Sequence, residues 1–171
     1  MNADELRALQ APLKNSYREN PGAALVTLKA RGKLDEALIS CKVDTGRALV
    51  AAGLHPATGG DGALVCSGDM LLEALVACAG VTLKAVSTAL GVALRSAEVF
   101  AEGDLDFRGT LGVSKETPVG FSAIRLRFQL DTDADQATVD KLVSLTERYC
   151  LVYQTLRASP TLSASWGDAG S

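Results

Sequence analysis

The stretch Ser67-Gly-Asp-Met-Leu-Leu-Glu-Ala-Leu-Val-Ala-Cys78-Ala-Gly-Val-Thr-Leu-Lys-Ala-Val-Ser-Thr-Ala-Leu-Gly91 constrains this chain more than any other. It has the composition of one long helix, apolar nearly all round, and such a helix belongs inside a protein core. Ser67 or Asp69 can serve as its N-cap, and Gly91 is placed to stop it. Its length is that of a membrane span, but Asp69, Glu73 and Lys84 interrupt it and no aromatic belt or basic flank accompanies it. A soluble core helix is the expectation, with no membrane partner. A single cysteine, Cys78, sits near its middle.

Around this helix the chain reads as α+β. Residues 2–10 suit a short amphipathic helix, and Pro12, Asn15, Asn20, Pro21 and Gly22 suggest loop. Residues 1–22 are thus expected to be an N-terminal extension, and 23–171 a single domain. Ala23 to Ala30 and Glu36 to Asp44 read as a hairpin turning at Arg31-Gly32-Lys33. Residues 45–55 are ambiguous between strand and helix, and the glycine-rich segment 56–62 reads as loop. After Gly91, strands are expected at 93–102 and 104–113, with Gly103 between them. Ile124, Leu126, Phe128 and Leu130 alternate with polar residues as in a half-buried strand. Asp131 to Asp135 supply caps for a helix from about 135 to 149, and Leu162 to Trp166 suggest a last short strand.

The formal net charge of −3 and the absence of a basic cluster exclude nucleic acid as an expected partner. Four cysteines, none in a C-x-x-C pair, and a single histidine provide no metal-ligand spacing. The acidic N-terminus lacks the apolar run of a secretory signal, so the cytoplasm is the expected location. Free thiols persist in that reducing compartment.

At about 100° per residue, Cys78 shares a helix face with Leu71, Ala74, Leu75, Thr82 and Ala85. On these residues alone it is either an inert core filler or a nucleophile. Aliphatic surroundings raise a thiol pKa, so a nucleophile there needs a cation or hydrogen-bond donor from another element. Cys150 stands at a predicted helix C-terminus, whose partial negative charge disfavours a thiolate. Cys41 falls in a strand as a core residue, and Cys66 and His55 take ordinary loop and turn roles.

Met70-Leu-Leu-Glu-Ala-Leu-Val-Ala-Cys78-Ala-Gly-Val-Thr-Leu resembles the signature helix of the OsmC/Ohr family, which bears that family's reactive cysteine. Glu147-Arg-Tyr-Cys150-Leu-Val-Tyr-Gln-Thr-Leu156 is similar to the family's second cysteine segment, commonly Cys-Pro-Val. The resemblance spans roughly residues 23–166. It implies an intertwined homodimer in which curved antiparallel sheets wrap around long central helices. It also implies a thiol peroxidase with no cofactor: Cys78 attacks an organic hydroperoxide, Cys150 resolves the product as a disulfide, and a dithiol or lipoyl-type reductant restores both thiols. The chain departs from the family at Ser67-Gly68, where a Pro-Glu pair is usual, leaving Asp69 as the adjacent carboxylate. Arg31 is the nearest match to the activating hairpin arginine, with Arg47 and Arg18 as rivals, and Leu151 replaces the usual proline. These departures keep a second reading open: a dimer of the same fold that senses redox state or binds a hydrophobic small molecule without efficient catalysis.

Overall fold

The computed structural model describes residues 2–20, 31–34, 40–44, 49–112 and 114–167. Only the backbone is described for strands 31–34 and 40–44 and for residues 9, 12–14 and 16–18. The elements run α1 (Ala3–Glu19), β1 (Arg31–Leu34), β2 (Ser40–Asp44), β3 (Leu49–Gly53), β4 (Val65–Cys66), α2 (Ser67–Leu90), β5 (Ser96–Leu105), α3 (Phe107–Thr110), β6 (Phe121–Asp131), α4 (Gln136–Tyr149) and α5 (Leu151–Arg157). One sheet has the order β1-β2-β3-β4, and β5 and β6 form a second, antiparallel one. This is the expected α+β architecture.

The long helix forms as its composition predicts and ends at Gly91, whose φ of 69° is left-handed and whose N–H closes back on the carbonyls of Ser87 and Thr88. Its N-cap is Cys66, which makes no side-chain capping bond, rather than Ser67 or Asp69. Leu75, Ala79, Leu83 and Ser87 recur every four residues and are its buried stripe. Alanine and leucine alternate along that stripe, so α4, α5 and β5 can all pack against it. Leu142 of α4 is also fully buried. Burying a leucine fully contributes about 1.5–3 kcal/mol.

The alternation in β6 is borne out. Ile124, Leu126 and Phe128 face the core with Val99 and Ala101 of β5. Outward, Arg125 pairs with Asp104 and Glu102, and Arg127 lies over the Phe100 ring at 4.1 Å. Asp135 caps α4, accepting from the Thr138 amide at 2.8 Å.

Several expectations are corrected. The first helix continues through Pro12 and Asn15 to Glu19. It starts on a reciprocal cap between Asn2 and Glu5, and it packs against α2, so tertiary contact overrides a local break. Arg31-Gly32-Lys33 is strand rather than turn, paired to Val43 and its neighbours, while residues 23–30 lie outside the described residues. Residues 49–53 resolve as strand. The first sheet is not wholly antiparallel, because β4 runs parallel to β3 before becoming α2. Pro56–Thr58 is a 3-10 turn within the predicted loop. It is capped by His55, whose Nδ1 accepts from the Ala57 amide and whose ring stacks on Phe107 at 4.8 Å.

Gly103 does not separate two strands. β5 runs through it, and 107–110 is helical because Asp106 caps the Arg108 amide. Residues 162–166 form no strand, and Trp166 is 91% exposed. The reason for a glycine at 103 is steric: a Cβ there would overlap the Phe121 ring. Gly103→Ala is expected to cost about 1–3 kcal/mol in chemical denaturation. Adding Phe121→Leu should recover most of that loss, and strict additivity of the two changes would contradict the close approach.

Candidate active site

Cys78 lies half-buried on α2, one step beside the buried stripe, against the cluster of Leu75, Ala79 and Cys150. Opposite it the chain turns a corner. α4 ends at Tyr149, Cys150 takes an extended conformation (φ −73°, ψ 110°), and α5 begins at Leu151. The Cys150 amide closes α4 on Thr146 at 2.9 Å, and its carbonyl opens α5 by accepting from Gln154 at 3.0 Å. The Gln154 side chain ties α5 back to the Glu147 carbonyl at 2.8 Å. Cys150 is thus the last residue of one helix motif and the first of the next, and its side chain is fully buried.

The first amides of a helix have no partner within it. At most helix starts a Ser, Thr, Asp or Asn side chain takes one of them. Cys150 makes no well-formed capping bond; the Leu151 and Val152 amides favour a thiolate at Cys78, and the Tyr153 and Val152 amides act more weakly on the Cys150 sulfur. Burial pushes the Cys78 thiol up, as its aliphatic neighbours suggest. The Val152 amide, the Cys150 thiol, the Leu151 amide and the Thr82 hydroxyl outweigh it, and the pKa falls below the ordinary thiol value. Thr82 has only one hydroxyl proton, held at 2.8 Å by the Cys78 carbonyl. Its contribution to the sulfur comes at the expense of that bond, so the two amides are the dependable donors. Burial pushes the Cys150 thiol up as well; the Tyr153 and Val152 amides oppose that rise, but its hydrogen bond to Cys78 and the charge there add to it, and the pKa ends above the ordinary thiol value. The result is one thiol prepared to ionise and its neighbour kept protonated.

The two cysteines singled out from sequence are therefore brought together. Asp69 is not: it is exposed in the first turn of α2, nine residues before Cys78 and so about 180° around the helix. It lines a separate cavity with Leu72, Glu73 and Val76. Arg31 opens β1 opposite Asp44, with its side chain outside the described residues. Arg18 likewise has only its backbone described, in α1, and Arg47 lies outside altogether. Among the described residues no guanidinium acts on Cys78. Cys66 is half-buried at the start of α2, and Cys41 lies in β2 as expected. Composition could not reveal the donors at 151 and 152, because a backbone N–H is common to every residue except proline. The one available signal was Leu151 standing where a proline would carry no N–H.

The family model for OsmC-like proteins matches residues 60–165, more than half of the chain and the segment that holds both thiols. The chain belongs to the OsmC-like protein family. Solved structures agree on the fold. The OsmC-like protein from Mycoplasma pneumoniae superposes with a TM-score of 0.66 at 14% identity, covering 78% of this chain and 89% of that one. An organic hydroperoxide resistance protein OsmC from Legionella pneumophila gives 0.61 at 18% identity, covering 79% and 92%. The organic hydroperoxide resistance protein OhrB of Bacillus subtilis gives 0.52 at 21%, covering 80% and 94%. No curated protein sequence matches the chain. Within this OsmC-like chain the fold accounts for the thiol pair: α2 carries one sulfur, and the α4–α5 corner carries the other.

Proline is favoured at the first position of a helix, and Cys150 already has the extended backbone that a residue before proline adopts. Leu151→Pro should therefore remove one donor to Cys78 while leaving α5 intact. The pH midpoint for alkylation of Cys78 by iodoacetamide is expected below that of an ordinary exposed thiol in the wild type. It should move up in Leu151→Pro. An unmoved midpoint would show that the Leu151 amide does not hold the thiolate.

Proposed function

We propose that this protein is a two-cysteine thiol peroxidase for organic hydroperoxides. The observation that carries the reading is the opposed tuning of two contacting thiols, Cys78 lowered and Cys150 raised. The Cys78 thiolate attacks one oxygen of the O–O bond. The alcohol leaves after taking a proton, and Cys78 becomes a sulfenic acid. The Cys150 thiol then attacks the Cys78 sulfur, a disulfide forms and water departs. A dithiol, such as a lipoyl-bearing protein, reduces the disulfide by exchange and is itself oxidised. The names of the Legionella and Bacillus structures, organic hydroperoxide resistance proteins, support the substrate class. The reducing cytoplasm suits a protein whose working state holds free thiols.

The active assembly in this reading is a homodimer with the two α2 helices at its centre. By length and composition α2 could cross a membrane, yet only 22% of its apolar window is buried within one chain. Its packing on α4, α5 and β5 favours a core role, and a partner chain would cover what they leave open. Leu71 and Val81 of α2 are 38% and 74% exposed in one chain. The β5–β6 ribbon has two long strands, and a two-stranded ribbon is marginal alone. Val81→Glu is expected to shift the protein from dimer to monomer in light scattering coupled to size exclusion. A wild-type monomer would overturn this part of the reading.

A second reading, a redox-sensing or small-molecule-binding dimer, is favoured by the position of Asp69 on the far side of α2. Peroxide consumption with dihydrolipoamide separates the two. Cys78→Ser should abolish turnover. Cys150→Ser should allow a single turnover, followed by over-oxidation of Cys78 to sulfinic acid, visible by mass spectrometry. Wild-type protein that consumes no alkyl hydroperoxide under these conditions supports the second reading.

A further inference from the structure

In a continuous helix each amide closes on the carbonyl four residues back. Along α4 that ladder makes its last bond from the Cys150 amide to the Thr146 carbonyl, at 2.9 Å. The next bond in register would run from the Leu151 amide to the Glu147 carbonyl, and the extended backbone of Cys150 breaks the ladder before it. The Glu147 carbonyl nevertheless has a donor. Nε2 of the half-buried Gln154 lies 2.8 Å away. A carbonyl can only accept, so this partner fixes which end of the Gln154 amide faces it. One turn into α5, a side chain has taken the partner that the Leu151 amide gives up.

This sequence has a use for the exchange. A proline at 151 would carry no N–H and could not close back on Glu147. Leu151 keeps its N–H, so nothing in its own chemistry stops α4 from running on through Cys150. In that arrangement the Leu151 amide would be tied up inside the helix, and the corner that sets Cys150 against the thiol-bearing face of α2 would be lost. In the observed one it is among the donors that favour a thiolate at Cys78. A half-buried carbonyl left without a donor is costly, so the group that satisfies Glu147 decides between the two arrangements.

We propose that Gln154 is a positioning residue for the thiol pair: by occupying the Glu147 carbonyl it holds the α4–α5 corner open and leaves the Leu151 amide to Cys78. Its consequence for turnover rests on the peroxidase reading, whereas its effect on the Cys78 thiolate does not.

The test uses the full-length reduced protein and Gln154→Met, which keeps the length of the side chain and has no donor. The pH midpoint for alkylation of Cys78 by iodoacetamide, followed by peptide mass mapping, should rise by about half a pH unit, a roughly threefold loss of thiolate below the midpoint. Gln154→Ala, with the strongest helix former at 154, should give the same rise and keeps the test readable if methionine displaces α5. In a Leu151→Pro background, where no amide at 151 competes for Glu147, Gln154→Met should add almost nothing to the midpoint. A role limited to packing would lower the melting temperature and leave the midpoint in place, and that result overturns the proposal. So does an equal rise in both backgrounds. The expected shifts in a protein that reduces no hydroperoxide would uphold Gln154 as a positioning residue and remove the peroxidase reading instead.

Discussion

The contact between the Cys78 and Cys150 sulfurs is what the arrangement of the helices serves. It requires α2 to be straight and long enough to carry Cys78 in its middle turns, and α4 to stop where Cys150 reaches it. The stop is a matter of one residue: Cys150 leaves helical geometry, and the chain resumes at once as α5. A continuous helix through 150 would tie the 151 and 152 amides to carbonyls of α4 and leave no donors for the sulfur. The same corner buries Cys150 fully, with Leu75 and Ala79 of α2 as its neighbours. Packing and reactivity therefore share one cause.

Two like groups side by side cannot both ionise easily, because the charge on one disfavours the charge on the other. Here the environment settles which gives up its proton. Cys78 is only half-buried and receives the Leu151 and Val152 amides, while Cys150 is enclosed and donates toward Cys78, and this outweighs the Tyr153 and Val152 amides at its own sulfur. No arginine is needed for that asymmetry to arise within one chain. The hairpin arginines expected from the family resemblance, if they reach the sulfur, add to donors already present.

The elements most legible in the sequence were those whose pattern is local. Residues 67–91 carry apolar character on nearly every side and a glycine stop, and β6 alternates from Ile124 to Asp131 because one face meets the core and the other meets water. Asp135 announced α4 through a capping bond within three residues. Reading failed where a distant partner decided the outcome. Pro12 argues for a break, yet α1 runs past it against α2. Gly103 looks like a punctuation mark, but its role is to admit the ring of Phe121 from the neighbouring strand.

By itself the sequence determined that a long apolar helix would carry Cys78, that the chain would be α+β, and that a second cysteine would follow a capped helix. Periodicity, composition and capping act over a few residues and so are written in order along the chain. Only the tertiary structure decided that Cys78 has a lowered pKa, because the donors responsible are backbone amides some seventy residues away, brought near by the turn at Cys150. It also decided against Asp69 as a neighbour of Cys78 within this chain, since helical rotation turns nine residues of sequence proximity into opposite faces. Side-chain identity is carried by the sequence. Which unpaired backbone group meets which sulfur depends on where two helices meet.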